Sequence, residues 1–193
     1  LGLSVIVPSY NRLPELLLCL KSLFETAQEW GKAGRLEILV QDDASPTFDA
    51  EKIVSPVFNP KRNTTNLGFS GNCNAGAARA KGDVLLFLNQ DTIARPGWIE
   101  PIANAFGNPE VGIVGPKLVT VTPEGDVIQS CGGLYDAGKG PYHRYLGYRA
   151  DDWRANVPGW VSWTTAAAMA IRRELFSDAE GFNVGYEHGY FED

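Results

Sequence analysis

Gly82-Asp83-Val84-Leu85-Leu86-Phe87-Leu88-Asn89-Gln90-Asp91-Thr92 is the stretch from which the fold is read. Val84 to Leu88 is apolar without interruption, as a strand buried on both faces would be in a parallel sheet between helices. The run stops abruptly at three polar residues. Asn89 and Asp91 stand two apart, and in an extended segment that spacing aims both side chains to one side. A hard cation such as Mg²⁺ or Mn²⁺ takes one or two such oxygen ligands and completes its shell with water and phosphate oxygens. The same residues also suit an Asx turn closing a strand.

Working outward, the flanking sequence repeats the theme. Leu3 to Val7 is a second apolar run, stopped at Pro8. Leu13, Leu16, Leu17, Leu20, Leu23, Phe24 and Ala27 then recur at spacings of three and four, one face of a helix with Pro14 in its first turn. Leu36 to Val40 reads as a strand closed by Asp42-Asp43-Ala44-Ser45-Pro46. Gly71 to Lys81 is Ala-rich and predicts a helix with Gly82 as its C-cap. Its approach, Asn66 to Ser70, carries glycine where backbone could near a ligand, and a helix N-terminus favours phosphate. Pro96 opens a short helix with Trp98, Ile99, Ile102 and Phe106, and Val111 to Val114 reads as a fourth strand.

This alternation predicts an α/β fold with a mostly parallel open sheet and helices on both faces. In such sheets the ligand crevice lies at the carboxyl ends of the strands. Asn11 and Arg12, Asp42 and Asp43, and Asn89 and Asp91 all fall there. Beyond Gly115 the pattern changes. Leu118 to Gln129 predicts a hairpin around Pro123-Glu124-Gly125-Asp126. Gly132 to Gly159, rich in glycine and tyrosine, reads as a long lid or binding loop. Order is expected again from Trp160 to Ile171, followed by a short helix from Arg172.

The 193 residues are 44% hydrophobic and 21% charged, enough to bury a core and against disorder. The net charge of −6 leaves no basic stripe for nucleic acid. Three widely spaced cysteines form neither a disulfide framework nor a metal motif, so a reducing cytosol is expected. No apolar run approaches the ~20 residues that span a bilayer. Dinucleotide G-x-G-x-x-G, P-loop and G-x-S-x-G signatures are absent, and His143 and His188 are too few for a multi-histidine zinc site.

Taken together, VIVPSYNR (5–12), VQDDAS (40–45), NLGFSGNCNAG (66–76), GDVLLFLNQDT (82–92), IRRELF (171–176) and GYFED (189–193) resemble a family 2 glycosyltransferase of the rhamnosyltransferase-like branch. The resemblance implies a GT-A fold with residues 1–115 as the nucleotide-sugar-binding half and 116–193 as the acceptor-side region of the same domain. It implies that Pro8, Tyr10 and Arg12 border base and ribose. Asp42 or Asp43 would read the nucleoside, while Asn66, Gly71, Asn74 and Asn89 line the nucleotide or sugar. Asp91 would anchor Mg²⁺ or Mn²⁺ as the last residue of a D-x-D element, and Asp193, with Glu192 beside it, would be the catalytic base.

Three departures stand out. Asn89 replaces the first aspartate of D-x-D, Ala166 stands where many relatives have glycine, and the chain stops directly after Asp193, as a chain lacking its C-terminal part would. The implied reaction is an inverting transfer from a dTDP- or UDP-sugar, dTDP-rhamnose among them, to a glycan or lipid-linked acceptor. The expected location is the cytoplasm, at the face of a membrane without insertion. Trp160 and Trp163 suit sugar stacking or core packing. Two other readings are a nucleotidylyltransferase, which needs a basic Gly-rich loop where Pro8 to Arg12 stand, and a non-catalytic nucleotide-sugar-binding domain.

Overall fold

A computed structural model describes residues 1–53, 55, 57–138 and 140–186. The apolar runs form β1 (Leu3–Ser9), β2 (Leu36–Asp42) and β4 (Val84–Leu88), and β3 (Phe58–Arg62) joins them at one edge. β1 pairs in parallel with both β2 and β4, and β2 pairs in parallel with β3. Late in the chain, β10 (Ala168–Arg172) returns antiparallel to β4, and the two-residue β5 (Ile113–Val114) lies against it. The six-stranded order is β3-β2-β1-β4-β10-β5. The mostly parallel sheet is therefore as expected, with one antiparallel strand, β10, next to the edge strand β5.

Alternation along these strands separates two cores. Leu3, Val5 and Val7 of β1, with Val84, Leu86 and Leu88 of β4, face helices α1 (Leu13–Thr26), α2 (Gln28–Lys32) and α4 (Ile99–Ala105). Ile6, Leu39, Leu85 and Phe87 face α3 (Gly68–Ala77) and α5 (Arg173–Asp178), where Phe87, Phe176 and Phe182 pack edge-on or tilted. Because each strand is covered on both sides, its run is continuously apolar.

Several expectations are corrected. α3 starts three residues before the Ala-rich segment and ends at Ala77, with Ala78 rather than a glycine at its C-cap. Gly82 instead permits close approach to β1: a Cβ there would lie 2.7 Å from the Ser4 amide nitrogen. β3 escapes the sequence pattern because Pro60 interrupts it, which an edge strand tolerates. The segment 132–159 is not one loop. It holds the hairpin of β8 (Gly133–Asp136) and β9 (Gly140–His143) and a 3₁₀ turn at Trp153–Asn156. The fourth expected strand shortens to β5, and Trp160 to Ala167 precede β10 without joining the sheet. The hairpin of β6 (Leu118–Thr120) and β7 (Val127–Ser130) forms where expected.

Candidate active site

The loop after β1 carries the first set of candidates. Asn11 and Arg12 are consecutive non-glycine residues with φ of 54° and 53°, a left-handed conformation that costs of order 1 kcal/mol or more at each. Neighbouring loops hold it there. Asn11 donates its amide N–H to Ser45 Oγ at 2.8 Å, and Thr47 Oγ1 donates to Asn11 Oδ1 at 2.7 Å. On the other side, Tyr10 N–H donates to Gln90 Oε1 at 3.0 Å while Gln90 Nε2 donates to the Tyr10 carbonyl at 3.2 Å. Pro8, within β1, has no N–H to offer the ladder. Tyr10 is about half exposed at the crevice.

The loop after β2 carries the two aspartates, and both are buried. Asp42 accepts the Ser45 hydroxyl and lies 3.7 Å from Arg62 Nε, so it fixes its own loop to β3. Asp43 Oδ1 accepts from Asn63 Nδ2 at 2.9 Å and from the Leu67 amide at 2.8 Å. Leu67 is the N-cap position of α3, so a carboxylate already faces that helix N-terminus. A phosphate there would meet like charge, which removes the expectation drawn from the helix end alone. Asn66 closes its own turn, accepting the Gly68 amide at 3.1 Å and donating to the Asp43 carbonyl at 3.3 Å.

Gly71 and Asn74 serve the scaffold. A Cβ on Gly71 would sit 2.7 Å from Leu67 Cβ, so the first turn of α3 requires its small size. Asn74 donates to the Phe182 carbonyl at 2.8 Å and accepts the Phe182 amide at 2.9 Å, engaging its side chain in tying α3 to a residue 108 positions away.

After β4 the chain does not stay extended. Thr92 N–H donates to the Asn89 carbonyl at 3.0 Å, closing a turn with Gln90 and Asp91 at its centre. The reasoning that spacing aims Asn89 and Asp91 to one side therefore does not apply. Asn89 remains near β10 through its backbone, donating to the Ala167 carbonyl at 3.0 Å. Asp91 is about half exposed, and its Oδ2 meets Arg12 Nη1 at 3.2 Å. Beneath the turn, Cys19 Sγ lies 3.8 Å from the Asn89 carbonyl. Burial, and secondarily the Asp91 charge, pushes its thiol up to about 12, so it stays protonated.

These donors can be tested against a divalent cation. Among the described residues no group of three or more His, Cys, Asp or Glu comes together. A cation held in a protein cage does not fit. One accessible carboxylate at the crevice does fit a hard cation that shares its shell with water and phosphate. Glu192, Asp193 and His188 lie outside the described residues. His143 bonds Ser130 Oγ at 3.0 Å and packs on Trp163, whose Nε1 donates to the Leu134 carbonyl, so Trp163 is a packing residue. Trp160 is 77% exposed and open to a ligand.

Gln90 is the functional candidate that sequence reasoning missed. It occupies the unspecified middle position of the D-x-D-like element, and nothing in the sequence shows that its amide meets Tyr10.

Comparison with known proteins bears on the family and the fold. The family model described as "Glycosyl transferase family 2" matches residues 4–179. The O-antigen biosynthesis protein RfbC of Myxococcus xanthus is 32% identical over 123 residues, 59% of this chain and 9% of that protein. An uncharacterized glycosyltransferase of Haemophilus influenzae is 34% identical over 114 residues, 58% of this chain and 37% of that one. The chain thus spans well under half the length of these curated relatives. Among solved structures, GalNAc-T7 with UDP, GalNAc and Mn²⁺ superposes with a TM-score of 0.74 at 19% identity, over 99% of this chain and 38% of that one. The mannosyltransferase PcManGT from Pyrobaculum calidifontis, in complex with GDP-Man and Mn²⁺, gives 0.61 at 21% identity, over 94% and 47%. At such identities the likeness shows the fold.

Proposed function

From the premise that this chain belongs to glycosyl transferase family 2 and has the GT-A fold, we propose that it transfers a sugar from a nucleotide diphosphate to a hydroxyl acceptor with inversion. The carrying observation is the crevice at the carboxyl ends of β1, β2 and β4, where the Tyr10, Asp43 and Asp91 loops are tied together and the accessible Asp91 carboxylate meets the Arg12 guanidinium, which also pairs with Glu15 at 3.1 Å. The peptide N–H of Asp43 donates to the Ser9 carbonyl at 2.8 Å, which closes the β1 and β2 loops against each other.

In this reading Tyr10 and the Asp43 side of the crevice flank base and ribose, and Asp91, with Asn89 nearby, would hold Mg²⁺ or Mn²⁺. Such a cation supplies Lewis-acid stabilisation of the charge that builds on the departing diphosphate. Arg12 adds a fixed positive charge beside the same position. The acceptor oxygen attacks the anomeric carbon as the bond to the diphosphate oxygen breaks, and the hydroxyl proton passes to Asp193, with Glu192 positioning the acceptor. Two complexes among the fold's neighbours contain Mn²⁺, which supports the metal. The RfbC relative, named for O-antigen biosynthesis, supports a glycan acceptor, lipid-linked in our reading, and the sequence resemblance suggests a dTDP- or UDP-linked donor such as dTDP-rhamnose. The enzyme would act at the cytoplasmic membrane face. No helix among the described residues is long and apolar enough to cross a membrane.

The test uses the full-length protein with UDP-, GDP- and dTDP-sugars and Mn²⁺. Release of nucleoside diphosphate is expected, falling by about 100-fold or more in Asp91→Ala and in Asp193→Asn. Release of pyrophosphate would instead indicate nucleotidyl transfer. Turnover unchanged in both variants would overturn these roles.

A further inference from the structure

The ladder between β1 and β4 runs in register only from Leu3↔Val84 to Ile6↔Phe87. Beyond it, the two strand ends are rejoined by one side chain. The Gln90 amide pairs with both backbone groups of Tyr10, accepting at 3.0 Å and donating at 3.2 Å, as a neighbouring strand would. Two residues further on, Arg12 reaches Asp91, which immediately follows Gln90. The result is a closed circuit: Tyr10, Asn11 and Arg12 by the chain, Arg12 to Asp91 by the ion pair, Asp91 to Gln90 by the chain, and Gln90 back to Tyr10 by two hydrogen bonds.

We infer that Gln90 is a positioning residue that couples the nucleotide subsite to the cation subsite, so that a nucleoside diphosphate and a divalent cation bind cooperatively. The inference rests on the function proposed above. A cation arriving at Asp91 must displace the like-charged Arg12 guanidinium from it. With Tyr10 clamped, the strained Asn11-Arg12 pair cannot relax away, and the released guanidinium stays over the crevice where the diphosphate needs positive charge. Without the clamp, the two loops respond to their ligands separately. In this proposal Gln90 acts through Tyr10 and not on either ligand. Its amide is engaged with Tyr10, and its position is fixed by the Asn89–Thr92 turn.

The experiment is a thermodynamic cycle on the full-length protein. UDP and dTDP are each titrated calorimetrically with and without Mn²⁺, in wild type, Gln90→Ala and the equally long but apolar Gln90→Met. In wild type, Mn²⁺ is expected to tighten nucleotide binding by about tenfold or more, and the nucleotide to tighten Mn²⁺ equally. In both variants that factor is expected to fall about threefold or more, the remainder coming from direct contact between cation and diphosphate, with nucleotide affinity in EDTA nearly unchanged. Wild-type cooperativity in both variants would overturn the proposal and leave the functional reading standing. So would an equal loss of nucleotide affinity with and without Mn²⁺, which would make Gln90 a plain support of the loop. Wild type binding neither nucleotide in Mn²⁺ would overturn both.

Discussion

In the proposed reaction the Arg12–Asp91 pair would set two cations, guanidinium and metal, in competition for one carboxylate. Both side chains are about half exposed, so the pair itself is worth no more than about 1 kcal/mol. Arg12→Gln is therefore expected to raise Mn²⁺ affinity about two- to fivefold without donor, and to weaken donor binding once the diphosphate lacks its guanidinium. Titration of the Mn²⁺ electron paramagnetic resonance signal would show the first, and unchanged Mn²⁺ affinity would refute the competition. A second prediction concerns Asp42, fully buried beside Ser45 and Arg62. Arg62 also donates to the carbonyls of Ser45 and Phe48. Arg62→Met removes a partner of a buried carboxylate and is expected to lower stability by about 2–4 kcal/mol in urea unfolding. Loss under 0.5 kcal/mol, within the usual range for surface changes, would show that Ser45 suffices. That Asp42 and Asp43 stand at a strand end is plain from the sequence. Their division of labour is not, because it depends on Arg62 and Leu67, about 20 residues away.

At the level of elements, α3 seats on the sheet through Gly76. A Cβ at Gly76 would lie 2.5 Å from Ile6 Cγ2, so Gly76→Ala must push helix and strand apart. A cost of about 1–3 kcal/mol is expected, read as a lower urea midpoint. If the midpoint rises, the gain in helix propensity has won and the seat is looser than the distance implies. β1, β2, β4 and α1 were legible because burial on two faces, or on one stripe, writes directly into hydrophobic spacing. β3 was not, since Pro60 and half-exposed edge positions erase the pattern. β8 and β9 were hidden by glycine and Pro141, whose pairing comes from each other rather than from a core. Of the two readings that Asn89 to Asp91 allow, extended or turn, the structure holds a turn, and the sequence does not choose between them because the strand before it gives no sign of where extension ends.

For the whole molecule, the proposed reaction would require a chain of net charge −6 to accept an anionic donor. Chelating the cation is expected to weaken nucleotide binding about tenfold or more and to make the remainder more salt-sensitive. Calorimetry in EDTA at two ionic strengths checks both, and equal affinity with and without cation would count against a bridging role. Protection from hydrogen exchange should be greatest at β1, β2 and β4, buried and paired on both sides, and least in the β8–β9 hairpin. The position of β10 has a consequence of another kind. β4 gains its second neighbour roughly 80 residues after it is made. As the polypeptide leaves the ribosome, β4 therefore presents a bare, strongly apolar edge until β10 emerges. That interval is open to a chaperone or to a neighbouring nascent chain, so faithful assembly depends on the timing of synthesis as well as on the final contacts.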